Sequence, residues 1–137
     1  MDVILAIKPE FAKKILDGQK RFEFRKRVWV EHVEKVYLYV GLPLQKIVGY
    51  FTIEEILSGD PSHLWSVCNH NAGITEKEYF SYFHDKPFGY AIKIEDVFKF
   101  KEPLEPFTLS LDFKAPYNFH YVYSGPFKEI LRQIEVE

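Results

Sequence analysis

The run KIVGYFTIEEIL, Lys46 to Leu57, is dense in β-branched and aromatic residues yet holds a glycine, Gly49, inside it. Such a run reads as a strand, and a glycine within a strand marks a bulge or a sharp bend. The sheet that contains it must therefore curve, as small barrels do at their corners. A second long run has period two: Phe88, Tyr90, Ile92 and Ile94, then Phe98 and Phe100 alternating with Lys99 and Lys101. Pro103 and Pro106 are expected to break it.

Shorter elements surround these two runs. Val3 to Ile7 reads as a first strand. Pro9 suits the first turn of a helix whose apolar face is Phe11, Ala12, Ile15 and Leu16, and Gly18 supplies its left-handed stop. Phe22 and Phe24 then alternate with Arg21, Glu23 and Arg25, and in VYLYV, Val36, Leu38 and Val40 oppose Tyr37 and Tyr39. Asp60-Pro61 is a helix cap with proline at the first position, and Thr75 with Glu78 forms a capping box ahead of Tyr79, Phe80 and Phe83. Phe127, Ile130, Leu131 and Ile134 predict one amphipathic closing helix. With 137 residues, 47% of them hydrophobic, the chain has ample core for one domain over residues 1–137. The order of elements predicts a small α+β domain with a strongly bent sheet or barrel.

Charge is distributed unevenly. The net charge is −2, which argues against a general basic coat, yet Lys8 to Arg27 carries eight basic residues against three acidic ones and the remainder is acidic. The densest part is GQKRFEFRKR, residues 18–27. It reads either as a solvated edge strand or as a site for something anionic. The lone cysteine, Cys68, excludes an intramolecular disulfide framework and permits a reducing compartment. No run approaches the ~20 apolar residues of a membrane span and no leader pattern opens the chain, so a cytoplasmic protein without membrane contact is expected. Cys68 and His70, with His63 and His84, show no metal-ligand spacing, and no phosphate-cradling glycine loop or nucleophile elbow is present. No metal or cofactor is expected.

The pattern IKPEFAKKILDGQKRFEFRKR, followed by VYLYV, KIVGYFTIEEIL, the insert W-x-x-C-N-H-N-A-G-I-T-x-x-E-Y-F and the late APYNFHYV, closely resembles the ASCH family of PUA-like domains over nearly the whole chain. The resemblance implies a β-barrel with flanking helices and a cleft beside the glycine-lysine strand, a class of site proposed to bind RNA. Related members bind nucleic acid, a few are reported as ribonucleases, and one branch removes an acyl group from N4-acetylcytidine. That branch uses a lysine just after the helix glycine, a threonine three residues on and a later glutamate. Lys20 matches the lysine, Glu23 stands at the threonine position, and no glutamate is matched near Asn71.

Within that frame Lys20 is the first candidate, as a donor to a phosphate or carbonyl or as an amine with a depressed pKa, provided it lies at the turn and shares the cleft with Glu23. Strict strand alternation would separate the two. Arg21, Glu23 and Arg25 form a charge ladder on one face; in a cleft, Glu23 would orient Arg25 for bidentate phosphate contact or accept from a base amine. Lys8, Lys26 and Arg27 suit backbone steering. Of the aromatic residues, Trp29 and Tyr117, beside charged or turn residues, are expected to be exposed stacking platforms, and Asn118 to read a base edge.

The reading is a domain that binds RNA or a nucleotide-like ligand through Lys8, Lys20, Glu23, Arg25, Lys26, Arg27, Trp29, Tyr117 and Asn118. The competing reading is an enzyme acting on N4-acylated cytidine or on RNA, with Lys20 and Glu23 as its catalytic pair. A third is a regulator acting through a protein partner; with no helix-turn-helix signal, direct readout of duplex DNA is the weakest form of it.

Overall fold

The computed structural model describes residues 1–110 and 112–137. Its frame is one mixed sheet of six strands: β1 (Asp2–Ile7), β2 (Phe22–Arg25), β3 (Lys35–Val40), β4 (Lys46–Gly59), β5 (Gly89–Leu104) and β6 (Phe119–Val122). The spatial order is β2-β5-β4-β3-β1-β6, with β1 parallel to β3 and every other pair antiparallel. The sheet curls into a half-barrel, the PUA-like α+β architecture expected from the sequence. Five helices flank it: α1 (Pro9–Leu16), α2 (Pro61–Cys68), α3 (Glu76–Tyr82), α4 (Pro106–Leu109) and α5 (Pro126–Gln133).

The long strands carry the curvature. The register between β4 and β5 shifts between Ile47 and Gly49 and twice more between Phe51 and Glu55. At Gly49 a Cβ would collide with the carbonyl oxygen of Phe98, so the bend needs glycine there. β5 does not stop at Pro103: it runs on to Leu104, with Ile47 paired to that last residue. Proline lacks only the N–H donor, so a ladder near its end can pass through it.

Both faces of the central strands are buried, which explains their alternating apolar and aromatic positions. Val3, Leu5, Val36, Leu38 and Val40 join Ile15, Phe51, Ile92 and Ile94 in the main core. Ile4, Tyr37 and Tyr39 face the other way, against Ile47, Phe100 and Leu131 of α5. A third cluster seats the helical insert on the sheet: Phe22 and Phe24 pack with Leu64, Cys68, Ala72, Tyr79 and Phe83. The two insert helices start as their caps dictate. Asp60 accepts from the His63 amide, and the Thr75 hydroxyl accepts from the Glu78 amide.

Candidate nucleic-acid interface

The site begins at the stop of α1. Gly18, at φ +80°, turns the chain so that Lys20 lies just before β2 and not within it. Strand alternation therefore does not separate residues 20 and 23, and Lys20 Nζ lies 3.8 Å from Glu23 Oε1. Both side chains are buried, with residue exposures of 1% and 5%. Lys20 Nζ also donates to the carbonyl of Ala72 at 2.7 Å and sits 5.0 Å from the ring centroids of Phe11 and Phe24.

The insert closes over this lysine. Gly73, at φ +65°, lies against its stem, where a Cβ would come within 2.5–3.0 Å of the Lys20 side chain. Lys14 Nζ donates to the Gly73 carbonyl at 3.3 Å, and the Arg21 amide to that of Asn71 at 2.8 Å. Burial holds the Lys20 amine below its usual range, and the carboxylate of Glu23 opposes that shift.

Glu23 passes the polar chain to Arg25. Its Oε2 accepts from Arg25 Nε at 2.9 Å and from Nη2 at 2.6 Å. Arg25 Nη2 also donates to the carbonyl of Ala6 at 2.6 Å, and Nη1 to Asn118 Oδ1 at 3.0 Å. Because β2 and β6 are the two ends of the strand order, these bonds draw the β2 edge onto the β1–β6 side of the half-barrel. These contacts use four of the five N–H donors of Arg25, so its guanidinium is a seam tie with little left for a phosphate.

Outward from Arg25 opens a groove of about 410 Å³ lined by Arg25, Lys26, Arg27, Tyr82, Lys86, Tyr117 and Asn118. Lys26 and Arg27 are exposed, and the Lys26 ammonium lies 4.5 Å from the ring centroid of Tyr82. Tyr117 is fully exposed, at 106% of its reference area. Four cations and two tyrosines thus share one concave surface, whose described lining contains no carboxylate. A cavity of about 450 Å³ elsewhere, along β6, is lined mainly by aromatic and apolar residues such as Phe113, Tyr121 and Phe127, and lacks this density of charge.

The structure thus brings Lys20, Glu23 and Arg25 into one buried chain, and Arg25, Lys26, Arg27, Tyr117 and Asn118 into one groove. Two expectations, for Trp29 and Arg21, are corrected. Trp29 is not an exposed platform: it is 6% exposed and packs edge-on to Phe119 with centroids 5.5 Å apart. Its large apolar ring gains more from the main core than from water, whatever the charge of its sequence neighbours. Lys8, expected to steer a backbone, is exposed at the N-cap of α1, outside this groove's lining. Arg21 leaves the ladder altogether, its Nη2 donating to the carbonyls of Ile94 and Glu95 at 2.7 Å each.

Tyr82 and Lys86 are groove residues that the sequence reading missed. Tyr82 lies off the apolar face formed by Tyr79 and Phe83, a signal of an exposed aromatic residue, but nothing local connects it to residues 25–27. Burial pushes the Cys68 thiol up to about 11, so it is a packing residue and not a ready nucleophile. Among the described residues no three His, Cys, Asp or Glu side chains gather as a metal site requires, and no helix is long and apolar enough to cross a membrane.

Comparison with known proteins agrees with this architecture. The chain is 29% identical over 109 residues to an ASCH domain-containing ribonuclease of Zymomonas mobilis subsp. mobilis, covering 79% of this chain and 71% of that protein. It is 26% identical over 121 residues to the large ribosomal subunit protein uL22 of Ureaplasma parvum serovar 3, spanning 88% of this chain but 39% of that protein. The crystal structure of ASCH from Zymomonas mobilis superposes with a TM-score of 0.86 at 23% identity, covering 98% of this chain and 96% of that one, a likeness of fold. The pattern of the family described as domain of unknown function DUF365 matches residues 1–110. The chain belongs to that DUF365 family, and it is similar to ASCH domain proteins, whose PUA-like α+β fold it shares.

Proposed function

We propose that the protein binds single-stranded RNA in the groove formed by Arg25, Lys26, Arg27, Tyr82, Lys86, Tyr117 and Asn118. The observation that carries this reading is the groove's composition: three exposed cations, Lys26, Arg27 and Lys86, beside exposed aromatic rings, on a chain whose net charge is −2. Such a surface supplies phosphate neutralisation and base stacking together. Lys26, Arg27 and Lys86 are the phosphate partners. Lys20, Glu23 and Arg25 lie behind them and hold the groove's shape. The name of the Zymomonas relative, a ribonuclease, also favours RNA as the ligand class. In this reading residues 1–137 act as one domain, in RNA metabolism or its regulation in the cytoplasm.

The test is fluorescence anisotropy of short labelled single-stranded RNAs across a salt series. Wild-type protein should bind with an affinity that falls as salt rises, and the Arg27→Ala/Lys86→Ala double variant should lose most of it. Salt-insensitive binding, or binding unchanged in the double variant, refutes the groove as the RNA site.

The buried Lys20–Glu23 pair supports a second reading, a ribonuclease or an amidohydrolase acting on an N4-acylated cytidine. Its requirement is severe, because the Lys20 amine is bonded to Ala72 and almost fully buried, with Gly73 packed on its stem. Labelled RNA or acylated cytidine converted by wild type and not by Glu23→Gln would establish it; intact substrate in both would leave binding alone.

A further inference from the structure

The amide of Asn118 has a fixed orientation. Arg25 Nη1 is a donor only, so the group that faces it at 3.0 Å must be the carbonyl oxygen of Asn118 and not its NH2. Asn118 therefore turns its Oδ1 toward the guanidinium and its Nδ2 away from it. Arg25 occupies one lone pair of Oδ1, whereas neither Nδ2 hydrogen has a partner among the described residues, so donors are what the side chain most readily offers a ligand in the groove.

That orientation decides which bases can be read. The bidentate pairing of asparagine with adenine requires Oδ1 to accept from the exocyclic amine while Nδ2 donates to a ring nitrogen. Arg25 takes one of the two lone pairs of Oδ1 and fixes its direction, which disfavours that pairing, and Arg25 is itself held by Glu23 and by the Ala6 carbonyl. Two open donors beside a partly occupied acceptor suit a base that presents carbonyl oxygens. Uracil, with two carbonyls and no exocyclic amine, is one extreme, and adenine, with no carbonyl, is the other.

Tyr117 supplies the second half of the recognition. It precedes Asn118 in the chain, lines the same groove and is wholly exposed, so both faces of its ring are open to solvent. A base can stack there only if it is free of a duplex. We propose that the groove selects single-stranded RNA by base identity, stacking one base on Tyr117 and donating from the Asn118 amide to a carbonyl on its edge, so that uracil is favoured over adenine. The proposal rests on the RNA-binding reading above.

The experiment compares labelled ten-nucleotide uridylate and adenylate single strands by anisotropy with the full chain. Wild type should bind uridylate more tightly by roughly tenfold, the scale of one good base-edge contact. Asn118→Asp keeps an oxygen acceptor for Arg25 but removes both donors, and the uridylate-to-adenylate ratio should fall close to one. Tyr117→Ala, at a position with no packing to lose, should weaken both strands by roughly tenfold and leave the ratio in place. Equal binding of the two strands by wild type, or a ratio unchanged in Asn118→Asp, overturns the base selection and leaves RNA binding standing. Binding of neither strand overturns both.

Discussion

Replacing Glu23 by glutamine tests whether the buried chain is held by charge. The substitution keeps the size of the side chain and an oxygen acceptor for Arg25, but it removes the only carboxylate paired with Lys20 and Arg25 in the described structure. Lys20 and Glu23 are almost completely buried, so solvent can do little to compensate. Breaking a buried pair from one side costs about 3–5 kcal/mol. The lower end applies here, because Lys20 keeps its bond to Ala72 and can release its proton. With a urea m-value of about 2 kcal/mol/M, a loss of about 3 kcal/mol lowers the unfolding midpoint by roughly 1.5 M.

The opposite truncation should be milder. Lys20→Met removes the desolvated amine and leaves Glu23 bonded twice to Arg25, so the orphaned Ala72 carbonyl is the main cost, about 1 kcal/mol. The pH dependence follows from the same arrangement. Folded Lys20 has its pKa below the ordinary 10.5. Between the folded value and 10.5 the unfolded chain binds more protons, so stability rises with pH across that window. Loss of Glu23, which raises the folded value, should open the window at lower pH. Urea unfolding followed by the fluorescence of Trp29 and Trp65, repeated from neutral to alkaline pH, reads both effects. A Glu23→Gln midpoint within about 0.3 M of wild type, or Lys20→Met as damaging as Glu23→Gln, refutes the argument from buried charge.

Gly73→Ala should lower the thermal midpoint by roughly 5 °C or more, since φ +65° and the Lys20 stem both oppose a Cβ; an unchanged midpoint by calorimetry contradicts the packing. At the far side of the sheet, Arg132→Ala leaves Asp2 buried without its partner at 3.2 Å, and because the guanidinium is partly solvated a loss of about 1–2 kcal/mol in urea unfolding is expected. Lys86→Ala should reduce the slope of log affinity against log salt by about 0.7 on single-stranded RNA without changing the unfolding midpoint; an unaltered slope removes Lys86 from the phosphate path.

Periodicity alone determined most of the frame. Val36, Leu38 and Val40 opposed to Tyr37 and Tyr39, the bend at Gly49, the caps at Asp60 and Thr75 and the stop at Gly18 are all local in origin, and each lies where its spacing put it. β6 and the short α4 were not legible, because four-residue elements are defined by their partners more than by their own pattern. The run GQKRFEFRKR marked where positive charge concentrates, but a basic residue reads the same in sequence whether it is buried or solvated. Only the tertiary structure sent Lys20 under Ala72, Arg21 to the carbonyls of β5 and Arg25 across the seam, leaving Lys26 and Arg27 exposed. It also brought Tyr82, Lys86, Tyr117 and Asn118 to those residues from far along the chain. Local pattern specifies which face of an element is apolar, whereas a groove is made of long-range contacts, and their partners are chosen when the sheet curls.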